Sequence, residues 1–232
     1  MAWAALVVWS ASPYQRYLDH GSLDELRLAP AAAVAVFVGG WTLMITAMML
    51  PTAYPVVSLF AAVVAQRPER RRLVGLCVAG YVGVWAGFGC LAYVADFGVH
   101  EAVEQIAWLH DHPWIIGAAA LAFAGAYQFS DLKYRCLDVC RSPRMFILRR
   151  WTGRRPYLDA AAVGVDSGQY CLGCCWSLML VMFAAGAGSI PLMLGLGTAM
   201  AAEKNLPWGN RIRAPLGISL LTAAAVAVAL AI

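Results

Sequence analysis

Five of the seven cysteines fall into two groups whose spacing suits joint chemistry. Cys136 and Cys140 stand four apart in Lys133-Tyr-Arg-Cys-Leu-Asp-Val-Cys-Arg, and Cys171, Cys174 and Cys175 stand at i, i+3 and i+4 in Tyr170-Cys-Leu-Gly-Cys-Cys-Trp. On a helix these spacings put each group on one face, with neighbours about 5–6 Å apart. Clustered reduced thiols offer soft sulfur ligands, which suit Cu(I), the favoured ion, and also Zn(II) or iron–sulfur clusters, over hard cations. Lys133, Arg135 and Arg141 supply positive charge beside the first group, which favours the thiolate that metals require. Cys77 and Cys90 stand alone in an apolar run and read as small buried hydrophobes.

Other residue types extend the soft-ligand theme. Met44 and Met48 share a helix face in Trp-Thr-Leu-Met-Ile-Thr-Ala-Met-Met-Leu-Pro, where they serve either as gap-filling core or as secondary thioether ligands. Glu203 and Lys204 end an apolar run, where the carboxylate calls for a partner or a task and the lysine is able to snorkel. Gln128, Asp131 and Arg135 recur at i, i+3 and i+7 as one polar stripe, which reads as a structural ion pair. His20, His100, His110 and His112 stand among acidic residues, a set that reads first as solvated loop and second as a divalent-metal mouth. No nucleophile with its base, paired catalytic carboxylates or phosphate-binding glycine loop is present. Gly195-Leu-Gly197 has no strand before it. The balance leans against an enzyme.

The elements that must position these residues are helices in a bilayer. The 232 residues are 62% hydrophobic and 13% charged, well beyond the about 45–50% apolar content of a soluble domain. Runs near the about 20 residues that cross a bilayer predict an all-α, polytopic bundle of about six spans. These are 31–65, 73–95, 113–129, 163–186, 190–202 and 215–232, preceded by a short apolar segment, Met1–Ser12. Pro51 and Pro55 predict a kink or an early end in the first. Gly83 and Gly87 make a Gly-x-x-x-Gly step, and Gly186, Gly188, Gly195 and Gly197 surround a tight turn. Residues 1–30 then form an N-terminal segment and outer loop, 31–207 a core with the cysteine motifs, and 208–232 a last helix.

Charge sets the orientation. Fifteen of the 17 Lys and Arg residues fall in alternate loops, at 67–72, 133–155 and 204–213, which places those loops in the cytoplasm and all four histidines outside. Both cysteine groups then lie near the cytoplasmic ends of their spans, where thiols stay reduced. The basic residues form no face with interleaved aromatics, so nucleic acid is excluded as a partner.

Several of these segments together resemble the uncharacterised bacterial family described as predicted metal-binding integral membrane proteins. They are Trp41 to Pro51, Tyr127-Gln128, Leu132-Lys133, Cys136-Leu-Asp-Val-Cys140-Arg-Ser-Pro143, Tyr170 to Trp176 and Glu203-Lys204-Asn-Leu-Pro207. The resemblance covers about residues 31–207. It implies a multi-pass protein of the bacterial inner membrane and a bound metal, and it carries over Cys136, Cys140, Cys171, Cys174, Cys175 and Glu203 as candidate ligands. Family members usually carry His-Gly shortly before the Tyr-Cys element, whereas this chain has Ser167-Gly168, so no imidazole is available there. Three functions remain open: metal handling or sensing, thiol–disulfide exchange with a membrane electron carrier, and an assembly role. The bilayer is the expected partner, joined by a second copy or a membrane complex.

Overall fold

The computed structural model describes residues 30–112, 114–184 and 189–231, apart from the side chains of residues 30–34, 36, 100, 102, 104, 183 and 184. The expected segment Met1–Ser12, His20, the His100 ring, Gly186 and Gly188 lie outside the described residues. Within them the chain is helical without a strand. The helices are α1 (Pro30–Met48), α2 (Tyr54–Val63), α3 (Arg70–Gln105), α4 (Ala107–Asp111), α5 (Trp114–Tyr127), α6 (Asp131–Arg141), α7 (Pro143–Arg150), α8 (Pro156–Ala184), α9 (Ile190–Asn205) and α10 (Arg213–Ala231). Short 3-10 turns occupy Pro51–Ala53 and Gly209–Arg211.

The expectation of six spans is corrected. Among the described residues two helices, Arg70–Val99 and Gly209–Ala231, are long and apolar enough to cross a membrane. Two bent pairs raise that to four, Phe37–Met48 with Pro51–Val63 at 46° and Trp114–Tyr127 with Asp131–Arg141 at 63°. The reasons are local. The expected 190–202 span is a helix of 16 residues, about 24 Å long, short of a hydrocarbon core of about 30 Å. Asp166 and Gln169 interrupt the start of the expected span at 163–186, and its residues 185 and 186 lie outside the described residues. The expected break at Pro51 is present, because a proline there has no N–H to give and its ring clashes with the preceding turn. α5 ends at Tyr127, and Ser130 caps a new helix by accepting from the Lys133 amide at 3.2 Å.

α3 and α8 pack closely along a seam of small residues. A Cβ on Gly80 would lie 2.7 Å from the Ala161 carbonyl oxygen, one on Gly164 would collide with the Cys77 backbone, and one on Gly168 would lie 3.1 Å from the Tyr81 carbonyl. The Gly83–Gly87 step contributes nothing to this seam, since both positions face open space. α1 lies on α3, where the Trp41 Nε1 donates to the Trp85 carbonyl at 2.9 Å. α5 and α10 pack through Gly125 and Gly217.

Two apolar cores result. The larger joins α1, α3, α8 and α9 around Trp41, Tyr81, Trp85 and the α8 cysteines. The smaller joins α2, α7 and the first turns of α3 and α8 around Phe60, Leu73, Cys77 and Ile147. The three basic segments meet at one end. Arg67 donates to the Gly153 carbonyl at 3.4 Å, and Arg141 donates to the carbonyls of Glu203 at 2.5 Å and Pro207 at 2.9 Å. The turn before α8 is closed by Asp159, which accepts from the Thr152 hydroxyl at 2.7 Å and from the amides of Thr152 and Gly153 at 3.0 and 2.9 Å. Gly153 has φ +73°, where a side chain would be strained.

Gly164→Leu is expected to separate α3 from α8 at a cost of about 3 kcal/mol or more, because the obstacle is backbone, whereas Gly83→Ala should be neutral or slightly stabilising. Thermal midpoints of the two variants in detergent check this. The Thr152 hydroxyl, followed by the Gly153 and Thr152 amides, holds the Asp159 carboxyl below the usual carboxylate range. Its grip on the turn is therefore complete above that range and is lost as pH falls through the depressed value. The Gly153 amide resonance should titrate at that value and lose the step in Asp159→Asn.

Candidate metal centre

The site begins with the broken helix. Where α1 stops, the Met49 carbonyl accepts from the Thr52 hydroxyl at 2.8 Å and from the Tyr81 hydroxyl at 3.2 Å. Tyr81 comes from α3, is 2% exposed, and its hydroxyl also lies 2.8 Å from the Cys171 Sγ. Lys204, in the last turn of α9, closes the group from the other side. Its Nζ donates to the Cys171 Sγ at 2.7 Å and to the Thr52 hydroxyl at 3.3 Å. Tyr81 from α3 and Lys204 from α9 thus meet at the Cys171 sulfur of α8, each tied in turn to the 49–52 turn.

The other thiols extend from it. Cys174 donates to the Cys171 carbonyl at 3.2 Å, and its Sγ lies 3.4 Å from that of Cys175. Cys136 sits directly on α8, because a Cβ on Gly173 would stand 2.5 Å from its Sγ. The Gly173 carbonyl accepts from the Tyr127 hydroxyl at 2.6 Å, which fixes α5 to the same turn. Packing of α6 on α8 thus sets Cys136 against the turn that carries the α8 thiols, and all five expected cysteines are free thiols. Among the described residues no three His, Cys, Asp or Glu side chains are grouped as they would be around a bound metal ion. The sulfurs grade inward instead, with Cys136 and Cys140 half-buried and the three α8 thiols buried.

Glu203 does something else. Its Oε2 pairs with the Lys133 Nζ at 2.8 Å, with side chains 1% and 0% exposed, and Lys133 also donates to Gln128. The Oε1 has no hydrogen-bond partner. This arrangement replaces three expectations. Gln128 joins Lys133 and not Asp131 and Arg135, which are exposed. Lys204 is buried and does not snorkel. The positive charge at the thiols comes from Lys204, since Lys133 is committed to Glu203 and Arg141 to backbone carbonyls. Tyr81 and Thr52 were not legible as site residues. Their only signal was polarity within apolar surroundings, Thr52 directly after the helix-breaking proline.

Charge counting gives the centre its character. Lys133, Glu203 and Lys204 are the buried charged residues among those described. The first two neutralise each other, which leaves one ammonium, and a buried charge is costly unless paired. The Lys204 ammonium is instead met by the Cys171 sulfur and the Thr52 hydroxyl.

Met44 and Met48 are buried in the same core as the α8 thiols. Of the histidines whose side chains are described, His110 is exposed beside Asp111 at 3.7 Å, and the His112 Nδ1 lies 2.8 Å from the Trp108 carbonyl.

A family model described as copper chaperone, PpoB2, matches residues 38–227. The chain belongs to the PpoB2 family. The matched stretch takes in both cysteine groups, the Lys133, Glu203 and Lys204 cluster, and most of α10. No curated protein and no solved structure matches the chain. The PpoB2 description agrees with the soft-metal expectation raised by the thiols and narrows the choice among ions toward copper.

Lys133→Met should be strongly destabilising, by about 3–5 kcal/mol, because it leaves the Glu203 carboxylate buried without a counter-charge. Lys133→Met combined with Glu203→Leu should recover most of the loss. Denaturation midpoints of the single and double variants test the pairing, and additive losses would contradict it.

Proposed function

We propose that this chain is a multi-pass protein of the bacterial inner membrane that binds Cu(I) through thiolates and hands it on to a partner. The observation that carries the reading is the contact of the Lys204 ammonium with the Cys171 sulfur, beside Cys174 and Cys175. Two thiolates on one Cu(I) make a unit of charge −1, which one buried ammonium offsets. Soft sulfur selects Cu(I), an ion that accepts two ligands in a line, so pairs of thiols suffice where a closed three-ligand group is missing.

The half-buried Cys136 and Cys140 give the ion a first stop near the basic end, and Cys174 receives it by exchange of one sulfur for another. Copper is the cargo and keeps its oxidation state throughout. Tyr81 and Thr52 position Cys171 and Lys204, and Glu203 neutralises Lys133.

The membrane assignment is supported by apolar surface turned outward. Only 28% and 17% of the two apolar helical windows are buried, and Leu91, Val94, Phe97, Ile218 and Leu230 are exposed along them. Lipid is the solvent that would cover such faces. The basic end, where three loops meet, is the side expected in the cytoplasm.

Protein purified without chelator and analysed by elemental mass spectrometry should carry about one copper per chain, lost when Cys171, Cys174 and Cys175 are all changed to Ser. Metal-free protein whose thiols stay free and empty through anaerobic Cu(I) and Zn(II) titration would overturn the reading in favour of thiol exchange or an assembly role.

A further inference from the structure

Seven of the nine methionines are buried in the core that holds the α8 thiols, each at most 3% exposed. Met44, Met48 and Met49 come from the end of α1, Met179 and Met182 from α8, and Met193 and Met200 from α9. Their order along the helices follows the thiol site. On α8, Cys171, Cys175, Met179 and Met182 recur at i, i+4, i+8 and i+11, which makes one stripe. On α9, Lys204, Met200, Gly197 and Met193 recur at i, i−4, i−7 and i−11, which makes a stripe running in the opposite direction.

The Lys204 contact with Cys171 pins the two stripes together at one end. At 1.5 Å per residue, Met182 and Met193 both stand about 16 Å further along. α1 supplies the third wall. A Cβ on Gly197 would meet the Met48 methyl at 3.4 Å, so that glycine leaves room for a thioether between α1 and α9. No Asp, Glu, Lys, Arg or His occurs between Cys171 and Ala184 on α8 or between Ile190 and Ala202 on α9.

A core that needed only volume could be filled by leucine. Here three helices deliver polarisable thioethers at successive levels, starting beside thiols that suit the same soft ion. We propose that these methionines form a path along which Cu(I) travels between the buried thiols and the far end of the bundle, beyond Met182 and Met193. The proposal rests on the reading of the thiols as a Cu(I) site. Each step breaks one copper–sulfur bond and forms the next, with no electron transferred and no proton moved between thioethers. Neutral thioethers hold Cu(I) more loosely than thiolates, and passage requires sites weak enough to be left. The thiols, joined to Lys204, form the tight end of the path.

Two measurements on the full chain test the path. In lipid nanodiscs with methionine methyls labelled, anaerobic Cu(I) added beyond the amount that fills the thiols should shift the buried methionine resonances, with the exposed Met145 as the unmoved reference. In proteoliposomes holding a Cu(I) chelator, Met179→Leu, Met182→Leu and Met193→Leu together should slow copper passage about tenfold or more while thiol-bound copper stays constant. Leucine keeps the volume of methionine, and an unchanged thermal midpoint confirms the fold. Buried methyl resonances that stay still, or passage that the triple variant leaves unchanged, overturn the path with the thiol site intact. Thiols that take up no copper in the unaltered chain overturn the underlying reading instead.

Discussion

The buried ammonium of Lys204 is the constraint around which the centre is built. A charge with 7% exposure needs an anion or a dense set of polar partners, and the chain provides the Cys171 sulfur and the Thr52 hydroxyl. Each of those partners depends on a separate structural event. Thr52 is available because Pro51 ends α1 and leaves a 3-10 turn. Cys171 is available because α8 is held against α3 by glycines at positions 80, 164 and 168. Tyr81 ties the two events together by reaching both the Met49 carbonyl and the Cys171 sulfur. The helix break, the seam and the ammonium are therefore one construction.

The second buried charge pair stands beside the first without sharing its role. Lys133, Glu203 and Gln128 knit α6 to the end of α9, and Arg141 adds two bonds to the carbonyls that follow. This places α6, with Cys136 and Cys140, against α8, where Gly173 lets the Cys136 sulfur rest on backbone. The pair is electrically closed, so it holds helices without drawing on the charge beside the thiols. The Lys204 charge stays open to whatever anion the thiols become. Adjacent residues, Glu203 and Lys204, thus face different helices and do different work.

The interior is unusual in its chemistry more than in its shape. Thiols and thioethers are prominent in a core in which the remaining buried polar groups are few. Sulfur packs like a hydrophobe, so these residues cost little as core, and they acquire a second use only when a soft cation is present. That double character reconciles a well-packed bundle with a metal route.

Local rules settled much of this protein before any folding. Spacing alone put Cys171, Cys174 and Cys175 on one face, and proline chemistry broke the first run at Pro51. Those properties depend on neighbours within one or two turns. The tertiary structure decided everything that rests on separation in the chain. It chose Gly164 and Gly168 over Gly83 and Gly87 as the helix contact, paired Lys133 with Glu203 in place of the expected stripe, and brought Lys204 and Tyr81 to Cys171. It also left fewer complete spans than the apolar runs implied, because helix breaks and polar turns divide them. The face on which a residue lies is local, but which helix meets that face is set by packing among all of them at once.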